Sequence, residues 1–222
     1  MTSQDIRELL RSAESNRAAL FDLDGTLVDS VADIALALNT TLRARSLPEM
    51  SMAELDALMG HPIALILSNA GIEHDLDEAV VEFRSTLVDV MGTHSTVLPG
   101  VVEVLNILQA RGWQLGVATN KPKHLADLAL QRAGLADWFK VIVGAQSLAP
   151  KPSAAIPEAC LAELDCTGGV MIGDTRMDIE AGHAAGLATI GISARAQERE
   201  AMRSVGANLT LTSMAELLDL LG

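Results

Sequence analysis

From Pro99-Gly100 to the C-terminus the apolar pattern keeps changing period, and this alternation restricts the fold more than any other property of the chain. Helical faces are predicted over 101–111, 122–133, 153–164, 177–185, 197–205 and 214–221. Short apolar runs lie between them at 114–118, 140–143, 169–172, 188–192 and 209–211. Strands separated by single helices cannot close as hairpins. They need crossovers, which implies a parallel sheet with helices on both faces. A further strand is expected at 18–23, well ahead of the others.

Between Ser30 and about Val97 the pattern is helical throughout. Val31, Ile34, Ala35, Leu38 and Leu42 form one helix face, with Ser30 as the expected N-cap and Asp33 at its capping-box position. Further helices are expected over 51–58, 62–70 and 75–91, punctuated by Pro48, Gly60-His61-Pro62 and Gly71. The stretch holds ten Asp and Glu against three Arg and no Lys. The expected organisation is therefore an α/β core from 1–29 and 98–222, with a small helical domain, 30–97, inserted after strand one. Residues 3–12 carry a modest helical pattern and are expected to form an extra helix on the core surface.

The 222 residues are 49% hydrophobic but only 2% aromatic, with no Tyr, so the core must be built from Ala, Leu, Val, Ile and Met. A formal charge of −13 argues against a nucleic-acid partner and against an anionic membrane surface. It leaves room for an anionic small substrate, because a metal ion and one lysine can set the local field. No apolar run approaches membrane-spanning length, and the polar N-terminus lacks the apolar segment of a signal peptide. Cys160 and Cys166, with no further partners, read as buried free thiols in a reducing compartment. A cytoplasmic protein is expected, as a monomer or homodimer.

Ligands of parallel sheets bind beyond the carboxyl ends of the strands, and four strand ends here carry polar clusters. The first is LFDLDGTLVDS, Leu20 to Ser30, where Asp22 and Asp24 stand at an i, i+2 spacing that keeps both on one side. Two carboxylates that close repel each other, so a cation is expected between them, and hard oxygen ligands suit Mg²⁺. The second end carries Thr119-Asn120-Lys121 before a helix opened by Pro122, which offers a hydroxyl and N–H groups to a phosphate. In the third, Lys151 is held between Pro150 and Pro152, able to present its ammonium as a fixed point charge. The fourth reads Gly173-Asp174-Thr175-Arg176-Met177-Asp178. There Asp174 is placed as a metal ligand opposite Asp22, and Asp178 sits one helical turn further on to orient a ligand or water. Each cluster alone has an ordinary explanation as a cap, a rigid turn or a first-turn acid. Four at successive strand ends do not.

DLDGT at Asp22–Thr26, TN at Thr119-Asn120, KP at Lys151-Pro152 and GDTxxD at Gly173–Asp178 resemble, in order, the four motifs of the haloacid dehalogenase-like hydrolase superfamily. The resemblance implies a Rossmann-like α/β core with a helical cap domain inserted after strand one, closing over the site to exclude water. It implies Asp22 as the nucleophile that forms an aspartyl-phosphate and Asp24 as the acid and then the base. Mg²⁺ would be held by Asp22, the backbone carbonyl of Asp24, and Asp174. Thr119, Asn120 and Lys151 would take the phosphoryl oxygens.

Within the superfamily, DLDGTLVDS, Gly60-His61-Pro62, Phe83-Arg84 and Leu98-Pro99-Gly100-Val101 look like the phosphoglycolate phosphatase group. That implies 2-phosphoglycolate as the substrate, with Gly60, His61 and Arg84 as candidates for substrate selection by the cap. Another small phosphorylated metabolite, such as a sugar phosphate, fits the same motifs. So does a β-phosphoglucomutase-like phosphotransferase, which shares the acid pair. A phosphonoacetaldehyde hydrolase needs a cap lysine, and the cap has none. A phospho-aspartate signalling switch is the non-enzyme alternative, but it has no need of an acid two residues after the phosphorylated Asp.

Overall fold

The computed structural model describes residues 3–11, 16–56, 58, 61–145 and 148–221. The chain divides into two compact units, Met1–Val28 with Val97–Gly222, and Asp29–Thr96. In the larger unit α1 (Ser3–Arg11) precedes β1 (Arg17–Phe21). The chain leaves through β2 (Val28–Asp29), forms α2 (Val31–Ala44), α3 (Met52–Asp56), α4 (Ile63–Asn69) and α5 (Leu76–Val90), and returns through β3 (Thr96–Val97). β2 and β3 pair as a two-stranded sheet.

Strict alternation follows. α6 (Val101–Ala110), β4 (Gln114–Thr119), α7 (Lys123–Arg132), β5 (Val141–Gly144) and α8 (Ala155–Glu163) come first. β6 (Gly168–Gly173), α9 (Arg176–Ala184), β7 (Ala188–Ile192), α10 (Ala196–Ser204), β8 (Leu209–Leu211) and α11 (Met214–Leu221) complete the chain. Among the described residues no helix is long and apolar enough to cross a membrane.

The main sheet has the order β5-β4-β1-β6-β7-β8, and all its pairs are parallel. β1 is therefore central, and the winding reverses across it: β4 and β5 lie on one side, β6 to β8 on the other. Its side chains alternate between two apolar layers. Ala19 and Phe21 join a cluster with Val104 and Leu108 of α6, Leu130 of α7 and Leu217 of α11. Ala18 and Leu20 join one with Ile156 and Cys160 of α8. Phe21, the last residue of β1, pairs in register with Val117 on one side and Ile172 on the other, two residues before the end of β4 and one before the end of β6. The residues that follow these ends are thereby brought together.

The N-terminal helix is part of the core, not a surface addition. Ile6 and Leu10 are fully buried in the cluster that holds Leu217 and Leu221. Each such side chain stabilises by about 1.5–3 kcal/mol. The carbonyls at the end of α1, left without helical partners, are taken by arginines: Arg17 donates to Leu9 O at 3.5 Å and Arg111 to Leu10 O at 3.3 Å.

In the smaller unit α2 packs on α5 and α3, and α4 packs on α5. Ile34, Leu38 and Leu42 of the expected face are buried, with Leu67, Phe83 and Leu87 from the other helices. The expected capping box at the start of α2 does not form. Asp33 is buried and its carboxylate accepts instead from the N–H groups of Gly92 (2.7 Å), His94 (2.9 Å) and Ser95 (3.1 Å), and from the Ser95 hydroxyl. Reach is not the reason, since Asp178 does make such a box with Thr175. A cluster of donors on the returning chain outcompetes a single N-cap N–H. Val31 N–H uses Asp29 Oδ1 at 3.4 Å. Pro122, expected inside the helix, is the N-cap of α7.

Candidate active site

Asp22 leaves the end of β1 with its N–H still bound to Ile172 O of β6 at 2.9 Å. A tight turn follows, in which Gly25 N–H bonds Val28 O at 2.8 Å and Leu27 and Val28 N–H both return to Leu23 O. Gly25 has φ +83, and a Cβ there would stand 2.4 Å from Asp174 Oδ2. Only glycine permits both the turn and the approach of Asp174. Thr26 Oγ1 donates to Asp174 Oδ1 at 3.3 Å from the same turn.

The buried carboxylates of Asp22, Asp174 and Asp178 place oxygens within 4.8 Å of one another. Lys151 Nζ enters this group and donates to Asp22 Oδ1 (2.7 Å), Asp178 Oδ1 (2.5 Å) and Ala118 O (2.9 Å). The other oxygen of Asp178 accepts from Thr175 N–H (3.0 Å) and Thr175 Oγ1 (2.8 Å), so both oxygens of that carboxylate are engaged. Asp22 Oδ2 has no partner among the described residues. The loops after β4 and β5 are stitched together. Lys151 N–H donates to Asn120 Oδ1 at 2.7 Å, and Asn120 Nδ2 donates to Lys151 O at 3.3 Å. Thr119 is buried, and its Oγ1 accepts from Lys121 N–H at 3.2 Å.

Charge in this cluster is out of balance. Burial raises the pKa of Asp22, Lys151 lowers it, and Asp178 and Asp24 raise it again, leaving it at about 6 against an ordinary 3.8. Asp174 is raised well above its ordinary value by burial and by the negative charges of Asp178 and Asp22. Burial would lower Lys151, but Asp178 and Asp22 outweigh it and the ammonium is held more firmly than usual. Three clustered carboxylates facing one ammonium at the bottom of a sheet end are a donor set that a small divalent cation fits.

A model of the haloacid dehalogenase-like hydrolase family matches residues 19–192. The chain belongs to the haloacid dehalogenase-like hydrolase family. It is 34% identical to the phosphoglycolate phosphatase of Chromobacterium violaceum over 92% of this chain and 96% of that protein. It is 33% identical to that of Rhodospirillum rubrum over 93% of this chain and 91% of that protein. A predicted phosphoglycolate phosphatase from Haemophilus somnus 129pt superimposes with a TM-score of 0.82, at 26% identity, covering 93% of this chain and 98% of that one. Within the haloacid dehalogenase-like hydrolases this chain thus groups with the phosphoglycolate phosphatase-like members.

The structure brings Asp22, Thr119, Asn120, Lys151, Asp174 and Asp178 together at the ends of β1, β4, β5 and β6. The Asp24 side chain is not in the carboxylate cluster; it pairs with Lys121. In the sequence Lys121 stands out only as the neighbour of Asn120. The signal that could have found it is the surplus of acids over cations at these strand ends. Of the residues expected to select substrate, Gly60 lies outside the described residues. His61 is exposed, with its N–H bound to Leu58 O at 3.2 Å. Arg84 lies on α5, half-buried, and its Nε is buried without a hydrogen-bond partner among the described residues.

Proposed function

We propose that this chain is a Mg²⁺-dependent phosphatase that hydrolyses a small phosphomonoester, with 2-phosphoglycolate as the first choice, through an aspartyl-phosphate on Asp22. The observation that carries it is the state of Asp22. One oxygen is pinned by Lys151 and the other is left without a partner, at the central strand end of a family member whose relatives are phosphoglycolate phosphatases. In the first step Asp22 Oδ2 attacks phosphorus, the ester P–O bond breaks, and the leaving oxygen takes a proton from the Asp24 carboxyl. In the second, the Asp24 carboxylate takes a proton from water as that water attacks phosphorus. Inorganic phosphate leaves and the Asp22 carboxylate is regenerated.

Asp22, the Asp24 backbone carbonyl and Asp174 are the residues that would hold Mg²⁺. Bound there, the ion would offset the charge of the phosphoryl oxygens. Thr119, the Asn120 N–H and the Lys151 ammonium supply the remaining donors, and Asp178 orients Lys151 and Thr175. Selection of a carboxylated substrate falls to Arg84. Arg43 pairs with Glu49 and Arg45 with Glu82, whereas Arg84 has no such pair among the described residues.

The test is phosphate release from a panel of small phosphomonoesters, phosphoglycolate included, with and without Mg²⁺. Mg²⁺-dependent turnover concentrated on phosphoglycolate is the expected result. A peak on another ester would replace the substrate and keep the chemistry. Equal turnover by Asp22→Asn would remove the nucleophile assignment altogether.

A further inference from the structure

The loop after β4 holds a half-buried lysine, Lys121, to which the proposed chemistry gives no task. Lys121 Nζ lies 2.9 Å from Asp24 Oδ1 and 2.7 Å from Oδ2. Its side chain is 7% exposed and that of Asp24 18%, so this is no solvent-screened surface pair. The lysine backbone is fixed as well. Its N–H is bound to Thr119 Oγ1, and Gly144 at the end of β5 packs so close that a Cβ there would stand 2.3 Å from Lys121 O and 2.5 Å from Lys123 N. The neighbouring Asn120 meanwhile holds the backbone of Lys151. One short loop thus arranges two cations, and they divide the acids between them: Lys151 takes Asp22 and Asp178, Lys121 takes Asp24.

From this division we propose that Lys121 is the positioning residue for Asp24, fixing where its carboxylate points without itself touching the reacting atoms. Asp24 opens the turn at Gly25, where a short side chain can rotate. Proton transfer needs a heavy-atom approach of about 2.6–3.2 Å, and a misplacement of about 1 Å can cost on the order of 10²-fold in rate. An ammonium bound to both oxygens restricts that rotation. When one oxygen turns to the leaving group or to water, the other stays on Nζ, so the carboxylate pivots about a fixed point. The inference rests on the assignment of Asp24 as acid and base.

Lys121→Met removes the cation and keeps most of the stem. It is to be compared with Asp24→Asn and with the double variant, all with Mg²⁺ present. The substrates are the best alkyl phosphate of the panel and p-nitrophenyl phosphate, whose leaving group departs without a proton. Lys121→Met is expected to lower kcat on the alkyl ester about 10- to 100-fold, less than the roughly 10²- to 10⁴-fold that general acid–base catalysis contributes as a whole, with KM nearly unchanged. The loss in the pre-steady-state burst on p-nitrophenyl phosphate should be smaller, Lys121→Arg should recover part of kcat, and the substitution should cost nothing further in the Asp24→Asn background. If Lys121→Met does not fold, Lys121→Gln carries the same comparison. An equal loss in the Asp24→Asn background, or a rise in KM at constant kcat, would overturn the proposal. Full activity of Asp24→Asn alone would instead remove the role of Asp24, a separate failure.

Discussion

Lys151 in the core unit meets acceptors at 2.5, 2.7 and 2.9 Å, whereas Arg84 in the helical insert has a buried Nε with no acceptor among the described residues. The two units differ in the same way in their acids. Asp22, Asp174 and Asp178 crowd at one end of the sheet, so that burial and mutual repulsion raise Asp22 and Asp174. The buried acid of the insert, Asp33, collects backbone donors: burial pushes its pKa up, but the hydrogen bonds of Ser95, His94 and Gly92 outweigh that and lower it. Charge in the core is held in tension that a cation can relieve. In the insert the buried carboxylate of Asp33 is spent on backbone N–H groups, and the exposed and half-buried Arg43 and Arg45 pair with Glu49 and Glu82.

The sharpest way to break this contrast is to remove each cation. Lys151→Met leaves Asp22 and Asp178 buried without their partner. Unfolding stability is expected to drop by about 3–5 kcal/mol, and turnover by about 10²- to 10³-fold. Chemical denaturation and steady-state assays read both, and a variant as stable as the parent would show that Lys151 does not offset the acids.

The core tension also predicts a pH signature. Asp22 is raised to about 6, so the folded chain binds more protons than the unfolded chain between about pH 4 and 6. Without divalent cation, stability should therefore fall as pH rises through that window, by on the order of 3 kcal/mol. Mg²⁺, by binding the ionised cluster, should restore it by mass action. Melting temperatures with and without Mg²⁺ should separate at neutral pH and converge in acid; a gap independent of pH would place the ion elsewhere.

Asp33→Ala strands the N–H groups of Gly92, His94 and Ser95, at an expected cost of about 2 kcal/mol. Hydrogen exchange should locate the loss in 29–96 and leave β1 and β4 protected. Because Asp33 is lowered, its contribution is present above its unfolded pKa and disappears as pH falls through its folded one.

The smallest effect is expected at Arg84. Arg84→Met should leave stability within about 0.5 kcal/mol while raising KM for phosphoglycolate about tenfold, the equivalent of about 1.4 kcal/mol. A KM unchanged for carboxylated and uncarboxylated esters alike would remove Arg84 from substrate selection.

Much of this was legible in the chain because it depends on local period. Helix faces and apolar runs after Gly100 fixed the strand order in sequence, and with it the strand ends that carry Asp22, Thr119, Lys151 and Asp174. The buried thiols were legible too: Cys160 is raised to about 12, by burial first and by Glu163 second. Three features were decided only by tertiary structure. α1 looked like a surface helix because its apolar positions are few, yet Ile6 and Leu10 fill the layer beside α11. Asp33 had a local partner within reach and took more numerous donors 59 to 62 residues away. Lys121 found Asp24 across 97 residues and Lys151 found Asp22 across 129. Periodicity specifies which face of an element is apolar. Which ammonium meets which carboxylate depends on β1 lying between β4 and β6, and that order is set by the packing of all the helices on the sheet at once.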